Sequence, residues 1–218
     1  KRILSMLLVF AMAFSLLPAA ARAAVGPPEA ETTAWFTGKI GELNDSLPAG
    51  EAKFPETFSW FALEDTDLYW GAASRQVIGP TGAVSDMIVF LAPGAGADPE
   101  RSDVPDYGPG GCSLWNASGA SAVYIAGGVA GIGSNAFTNL SALKRVVFQD
   151  ASGLSCIGER AFYNDDNAVF TDEAGGAGAP LDLSDDASIA RFTEETADRF
   201  GGIIPYRRCV ILRGAVFI

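Results

Sequence analysis

The 218-residue sequence contains no histidine. In this chain, its absence excludes the serine-histidine-aspartate and cysteine-histidine catalytic arrangements, and it removes the commonest general base. Basic residues are also few, because 15 Lys and Arg stand against 26 Asp and Glu, for a net charge of −11. A nucleic-acid partner is not expected, since binding to phosphate backbones needs clustered Lys and Arg. We expect a protein that is not an enzyme and has no cofactor.

Cysteine is scarce as well. Cys112, Cys156 and Cys209 are too few and too far apart for a disulfide framework or a zinc motif. At most one pair can form, and Cys112 with Cys209 is one candidate. Cys156 lies beside Ile157, where a small buried side chain is expected rather than a reactive thiol. The sequence therefore nominates no catalytic, cofactor-binding or metal-ligating residue.

The sequence is rich in apolar and turn-forming residues. Hydrophobic residues make up 49% of it, with 14 Phe and 4 Trp, and it contains 25 Gly and 12 Pro. The apolar content is enough for a folded core, while the glycines and prolines indicate many turns rather than long helices. We expect a folded, turn-rich protein.

The first 23 residues have the pattern of a signal peptide. Lys1 and Arg2 precede an apolar stretch over residues 3–17, and Ala21 and Ala23 fit a signal-peptidase site. Cleavage is expected after Ala23, with Ala21 as the alternative. A retained membrane anchor is the competing interpretation, but the apolar stretch is shorter than the ~20 residues that cross a bilayer. We expect a secreted or cell-surface protein with no membrane span in the mature chain.

Residues 24–110 are expected to form a small β-rich domain. A short helix is predicted near residues 33–43 and a hairpin over residues 57–63 and 67–70. A further strand, residues 87–91, is apolar without interruption, which predicts burial on both faces.

An aromatic cluster marks the same domain, and two interpretations of it stay open. Its members are Trp60, Phe61, Tyr69 and Trp70. They could form a platform for a carbohydrate or a peptide, or they could form the core of the domain, which is the preferred interpretation.

Residues 111–218 contain an internal repeat. An Ile-Gly pair is followed by an Ala-Phe pair in two copies, which are offset by 25 residues. The positions are Ile132, Gly133, Ala136 and Phe137 in the first copy and Ile157, Gly158, Ala161 and Phe162 in the second. Stacked units of this kind would bury the Ile and Phe side chains, and the glycines would permit close backbone approach. A weaker third copy is predicted around Leu183, Ile189 and Phe192, with an incomplete fourth at residues 209–212.

These motifs, with Leu143-x-x-Val146 after the first, resemble the BspA-like leucine-rich repeats of bacterial surface and secreted proteins. The resemblance covers residues 105–202. It implies a β-rich fold with short helices and 3-10 turns, in which a short leucine-rich-repeat solenoid of three to four units over residues 111–218 follows a small β-rich N-terminal cap domain. Where the family often has Cys, this sequence has Leu140 and Asp165.

The resemblance implies a non-enzymatic protein that binds a protein or glycan outside the cytoplasm, or that acts in adhesion. One alternative is a structural role, in which the edge of the repeats associates with another chain. A remote alternative is a dinucleotide-binding oxidoreductase, because residues 127–136 follow a predicted strand and fit the glycine fingerprint, with Asp150 as the ribose-binding acid.

Two acidic patterns in the sequence suggest further sites. Residues 165–167 and 182–186 offer oxygen ligands for calcium, although neither matches the twelve-residue calcium loop. Glu194 with Glu195 could serve as a glycosidase pair. Solvated turns and an ordinary helix surface are the preferred interpretations.

Overall fold

The computed structural model describes residues 25–79, 82–116, 119–154, 156–158, 160–163, 165 and 168–173, and two short C-terminal strands. The helices are α1 (Ala30–Ser46) and the single turn α2 (Ser113–Asn116), with 3-10 turns at Pro99–Arg101 and Ala151–Gly153. The strands are β1 (Phe61–Ala62), β2 (Leu68–Gly79), β3 (Gly82–Pro93), β4 (Asp103–Val104), β5 (Ala120–Ile125), β6 (Gly131–Ile132), β7 (Arg145–Phe148), β8 (Cys156–Ile157), β9 (Val169–Asp172), β10 (Ile211–Leu212) and β11 (Ala215–Val216).

Six strands form one mixed sheet in the order β1-β2-β3-β5-β7-β9. The pairs β1-β2 and β2-β3 are antiparallel, whereas β3-β5, β5-β7 and β7-β9 are parallel. A second, parallel sheet has the order β4-β6-β8, and β10 pairs antiparallel with β11. From β4 to β9 the chain therefore alternates between the two larger sheets.

The expected fold class, a short leucine-rich-repeat solenoid behind a small β-rich cap domain, is wrong. In the described residues, the structure is instead a mixed six-stranded sheet with two helices. The reason lies at β3, which pairs antiparallel with β2 on one side and parallel with β5 on the other. Strands from both sides of residue 110 thus share one hydrogen-bonded sheet. The apolar run of β3 makes this possible, because a central strand needs apolar side chains on both faces.

The six-stranded sheet is buried on both faces at its centre, along residues 87–92 of β3. On one face, Met87, Val89 and Leu91 of β3 belong to the cluster that also contains Val104, Ile132 and Ile157 of the second sheet. On the other face, Ile88, Phe90 and Ala92 belong to the cluster formed with Phe36 and Ile40 of α1. The prediction that residues 87–91 are buried on both faces is confirmed.

Helix α1 covers the second face, and it extends the predicted helix by three residues at each end. Its buried residues, Phe36, Ile40 and Asn44, follow a spacing of four that aligns them on one side. The amide of Asn44 donates to the Phe54 carbonyl at 3.0 Å and accepts from the Phe54 N–H at 2.8 Å. These two hydrogen bonds hold the segment that follows α1 against the helix.

Glu173, just after β9, links α1 to the edge of the six-stranded sheet that β9 forms. Its carboxylate accepts from Trp35 Nε1 at 3.0 Å and forms an ion pair with Lys39 Nζ at 2.7 Å. Burial lowers the pKa of Lys39, but its hydrogen bonds to Glu173 and Glu42 outweigh that effect, so the pKa is raised. The lysine therefore stays charged in the pair.

The hairpin predicted at residues 57–70 is confirmed at its turn and is shorter than expected. Phe61 pairs with Trp70 and Ala62 with Tyr69, while residues 57–60 are not a strand. Within the described residues, no helix is both long and apolar enough to cross a membrane. The predicted signal peptide and the third repeat copy lie outside the described residues.

Candidate functional site

The first two repeat copies lie next to each other. Ile132 of β6 pairs with Ile157 of β8 in parallel register. The rings of Phe137 and Phe162 stack at 5.1 Å with an interplanar angle of 10°, and Trp115 stacks on Phe137 at 5.3 Å. These aromatic rings thus form one continuous buried column.

The two repeat glycines sit where neighbouring backbones touch. A Cβ atom on Gly158 would lie 2.3 Å from Ser134 N, and one on Gly133 would lie 2.3 Å from the carbonyl carbon of Pro105. Gly158 N donates to the Ile132 carbonyl at 2.6 Å, which fixes the same approach. The Ile, Ala and Phe positions of both copies are buried, so they build the core and present no side chain to a ligand.

Residues 127–136, which fit the glycine fingerprint, do not have the geometry of a dinucleotide-binding turn. Gly127 and Gly128 form a turn after β5, and the Gly127 N–H is bound to the side chain of Gln149 at 3.1 Å. Residues 134–139 form turns. The long helix whose N-terminus would hold a pyrophosphate is therefore not found after Gly131.

The described residues show no arrangement that supports the calcium or the glycosidase hypothesis. Asp165 is buried and accepts from the Leu140 N–H at 2.7 Å, so the two positions where the BspA-like family often has Cys lie together. Residues 166–167, 182–186, Glu194 and Glu195 lie outside the described residues. In the part of the chain that the structure describes, no group of three or more His, Cys, Asp or Glu residues is placed to hold a metal ion.

The aromatic cluster is divided between the two faces of the six-stranded sheet. Trp60 lies under α1, with its ring 5.4 Å from that of Phe36 and its Nε1 donating to Thr33 Oγ1 at 3.1 Å. Trp70 packs on the opposite face, 6.4 Å from Trp115. The ring of Phe61 lies 5.4 Å from that of Trp70 in a tilted arrangement, and Phe61 is 53% exposed. The cluster is therefore partly core and partly surface.

Trp70 also lines an open groove with a volume of about 860 Å³. Its other lining residues come from three segments, within residues 62–66, 100–107 and 111–114. We name it the 62–114 groove. It brings together the turn between β1 and β2, the 3-10 turn with β4, and helix α2.

A buried carboxylate joins two walls of the 62–114 groove. Asp67, 5% exposed, accepts from Arg101 Nε at 3.1 Å and from the Asp98 N–H at 3.0 Å. Arg101 Nη2 also donates to the Asp65 carbonyl at 3.1 Å. Since each wall holds the other through charge-assisted hydrogen bonds, the groove is preformed.

Tyr107 and Trp115 support the remaining wall. The Tyr107 N–H donates to the Ser134 carbonyl at 2.8 Å, and its ring lies 6.0 Å from that of Trp115. Trp115 Nε1 donates to the Ala136 carbonyl at 2.8 Å. Burial raises the pKa of Tyr107, and a hydrogen bond with Cys112 adds to the shift. The repeat core therefore supports this wall directly.

Cys112 is a buried free thiol in the structure, and it lines the groove. Cys209, its candidate disulfide partner, lies outside the described residues. The thiol packs beside Tyr107 and forms a hydrogen bond with it.

The 62–114 groove could not be found from the sequence. Trp70 was recognised as one of an aromatic group, but the Asp67–Arg101 contact spans 34 positions and leaves no local pattern. Asp103, on the same lining, has a raised pKa, because partial burial and then the nearby carboxylate of Asp106 disfavour its charged form. Neither the Asp67–Arg101 contact nor the raised pKa of Asp103 can be inferred before the fold is known.

Comparisons with family models, with curated proteins and with solved structures find no match for this chain.

Proposed function

We propose that this protein is exported and binds a protein or glycan outside the cytoplasm, without catalysing a reaction, and that the 62–114 groove is its binding site. The groove itself carries the proposal. Its volume of about 860 Å³ falls within the ~300–1,000 Å³ typical of ligand sites. Its lining offers the apolar and aromatic surface that is usual in such sites, together with more charged groups than most of them have.

The hydrogen bonds that hold the groove walls support a binding role. Asp67, Arg101 and Tyr107 are each held by hydrogen bonds to other parts of the fold. A preformed site loses less conformational entropy when a ligand binds, so more of the contact energy appears as affinity.

Export rests on the sequence pattern of residues 1–23 and on the resemblance to BspA-like surface and secreted proteins. The test is direct. The full chain is expressed in a bacterial host, and the N-terminus of the exported form is sequenced. We expect cleavage after Ala23 or Ala21; retention of an uncleaved chain in the host cytoplasm would contradict export.

The binding role is tested with the exported protein on arrays of extracellular proteins and glycans. Ser113→Tyr places a large side chain at an exposed position of the groove lining, and Ser46→Tyr makes the same change at the end of α1, away from the groove. We expect Ser113→Tyr to abolish the array signal and Ser46→Tyr to preserve it. Equal signals from both variants would show that the groove is not the site, and silence of the unmodified protein on all arrays would contradict the binding role.

A second candidate function is assembly through a sheet edge. β9 stands at one end of the six-stranded order, and its Val169 is 44% exposed. Among the described residues, no strand pairs with the outer side of β9, and an unpaired strand edge can pair with another chain. Light scattering tests this role: a mass that rises with concentration and falls back in Val169→Lys would favour assembly, and a constant monomer mass would contradict it.

A further inference from the structure

The 62–114 groove is acidic. Four carboxylates lie on its lining, those of Glu64, Asp65, Glu100 and Asp103. Among the described residues that line it, Arg101 is the one basic side chain. The lining therefore has an excess of three negative charges.

Arg101 does not offset this excess at the groove surface. Its guanidinium is bound to Asp67, a carboxylate that is itself buried and lies behind the wall, and to the Asp65 carbonyl. The positive charge of Arg101 is therefore paired with Asp67, a fifth carboxylate that does not line the groove. In a partly enclosed cleft, like charges focus the field and raise the local concentration of cations.

The same groove offers apolar and aromatic surface. Trp70 is half-buried on its floor, Tyr107 is half-buried beside Cys112, and Leu114 is 39% exposed on its lining. Long cationic side chains suit this combination, because a methylene stem can lie on apolar surface while the charged head reaches a carboxylate. Aromatic faces also attract cations.

We infer that the ligand of the 62–114 groove is a short segment of a partner protein that carries Lys or Arg side chains. This inference rests on the proposed function and narrows it, since a neutral glycan would satisfy the broader proposal. A groove of about 860 Å³ accommodates a few residues rather than a folded domain. Charge complementarity decides for a basic peptide, because a neutral sugar would bring no positive charge to a lining that has an excess of negative charge.

The probes are three compounds: acetyl-Lys-Leu-Lys-amide, its acidic counterpart acetyl-Glu-Leu-Glu-amide, and a neutral trisaccharide of N-acetylglucosamine. Each is titrated into the full chain, processed by its host, by calorimetry and by tryptophan fluorescence. The groove variant is Glu100→Gln with Asp103→Asn. The matched control is Asp45→Asn with Glu56→Gln, which removes two exposed carboxylates at and beyond the end of α1.

We expect the basic peptide to bind and the acidic peptide not to bind. The groove variant should weaken binding of the basic peptide about tenfold, since two exposed ion pairs are lost, while the control should change it less than about twofold. Raising the ionic strength from about 0.01 M to about 1 M shortens the Debye length from about 30 Å to about 3 Å and should weaken binding in parallel.

Three results would overturn the inference. These are equal affinity for the basic and acidic peptides, equal loss in the groove and control variants, and absence of basic-peptide binding at low ionic strength. If the trisaccharide alone binds and Ser113→Tyr abolishes that binding, the groove remains the site and only the cationic ligand is wrong. If any ligand found on the arrays binds Ser113→Tyr as well as the unmodified protein, the proposed function itself fails.

Discussion

Replacing Gly158 by alanine tests the close backbone approach between the two repeat copies. The added Cβ would meet Ser134 N at 2.3 Å, Gly133 C at 2.6 Å and Ser134 Cα at 2.8 Å. All three are backbone atoms and cannot turn aside as a flexible side chain can. Neither Gly158 nor the control position Gly38 has a positive φ, so the effect of the methyl group is isolated from backbone strain.

The expected cost follows from two contributions. Forcing a methyl group into well-packed surroundings costs ~1–3 kcal/mol. Separating the two backbones also weakens the hydrogen bond from Gly158 N to the Ile132 carbonyl, for which the net contribution is ~0.5–1.5 kcal/mol. We expect the free energy of unfolding to fall by about 2–4 kcal/mol.

The matched control is Gly38→Ala in α1. Gly38 is exposed, and a Cβ there would meet nothing within 4 Å. Alanine in a helix interior is favoured over glycine by ~0.5–1 kcal/mol, so the same substitution should stabilise the protein. Both variants are measured by guanidinium denaturation monitored by circular dichroism. If the free energy of unfolding of Gly158→Ala lies within about 0.5 kcal/mol of that of the unmodified protein, the backbones of the two repeat copies are not in contact at Gly158.

Three further predictions concern other parts of the fold. Phe162→Ala should lower the free energy of unfolding by ~3–5 kcal/mol, because it leaves a cavity in the aromatic column beside Phe137; a loss below about 1 kcal/mol in the same denaturation assay would contradict its burial. Asn44→Ala should cost ~1–3 kcal/mol for each backbone group of Phe54 left without its partner, and faster amide hydrogen exchange at Phe54 measures the loss directly, so unchanged exchange would count against it. The pKa of Asp103 is raised above 3.8, so the folded state holds this proton more tightly than the unfolded state, and stability is lost as pH rises through the raised pKa. Asp103→Asn should therefore stabilise the protein at about pH 7 and lose that advantage at about pH 3; a variant that is less stable than the unmodified protein at neutral pH would refute the sign.

The elements that the sequence predicts well are those with a strong local pattern of apolar residues. Phe36 and Ile40 recur at helical spacing, and residues 87–91 are apolar without interruption. The distal half of the β2–β3 hairpin has no such signal, because Ile78 is 90% exposed and Ser85 and Asp86 are polar. Ile78 and Ser85 are placed by the backbone pairing of β2 with β3, and Asp86 also by its contacts with Arg75 and Ser121, which no local sequence pattern shows.

The fold class was wrong for a different reason. The repeat motif describes correctly how Ile132 meets Ile157, but it carries no information about what lies beside β5. There the partner is β3, whose own sequence shows only that it is buried on both faces. Pairing between strands that are distant in sequence is decided by the whole core. The groove depends on the same long-range choice, since Asp67 and Arg101 meet only after the sheet has formed.

The order β1-β2-β3-β5-β7-β9 has a kinetic consequence. Each strand of this sheet pairs with the strand of the same sheet that was made just before it, so the sheet can grow in the direction of synthesis. The antiparallel β2–β3 hairpin closes the shortest loop and offers the first template, onto which β5, β7 and β9 add in turn. No strand has to wait for a later one to be inserted between it and its neighbour. A chain that emerges from its N-terminus through a narrow exit can therefore add each strand to structure that is already formed, and the sheet edge on which the next strand adds stays open only until that strand arrives.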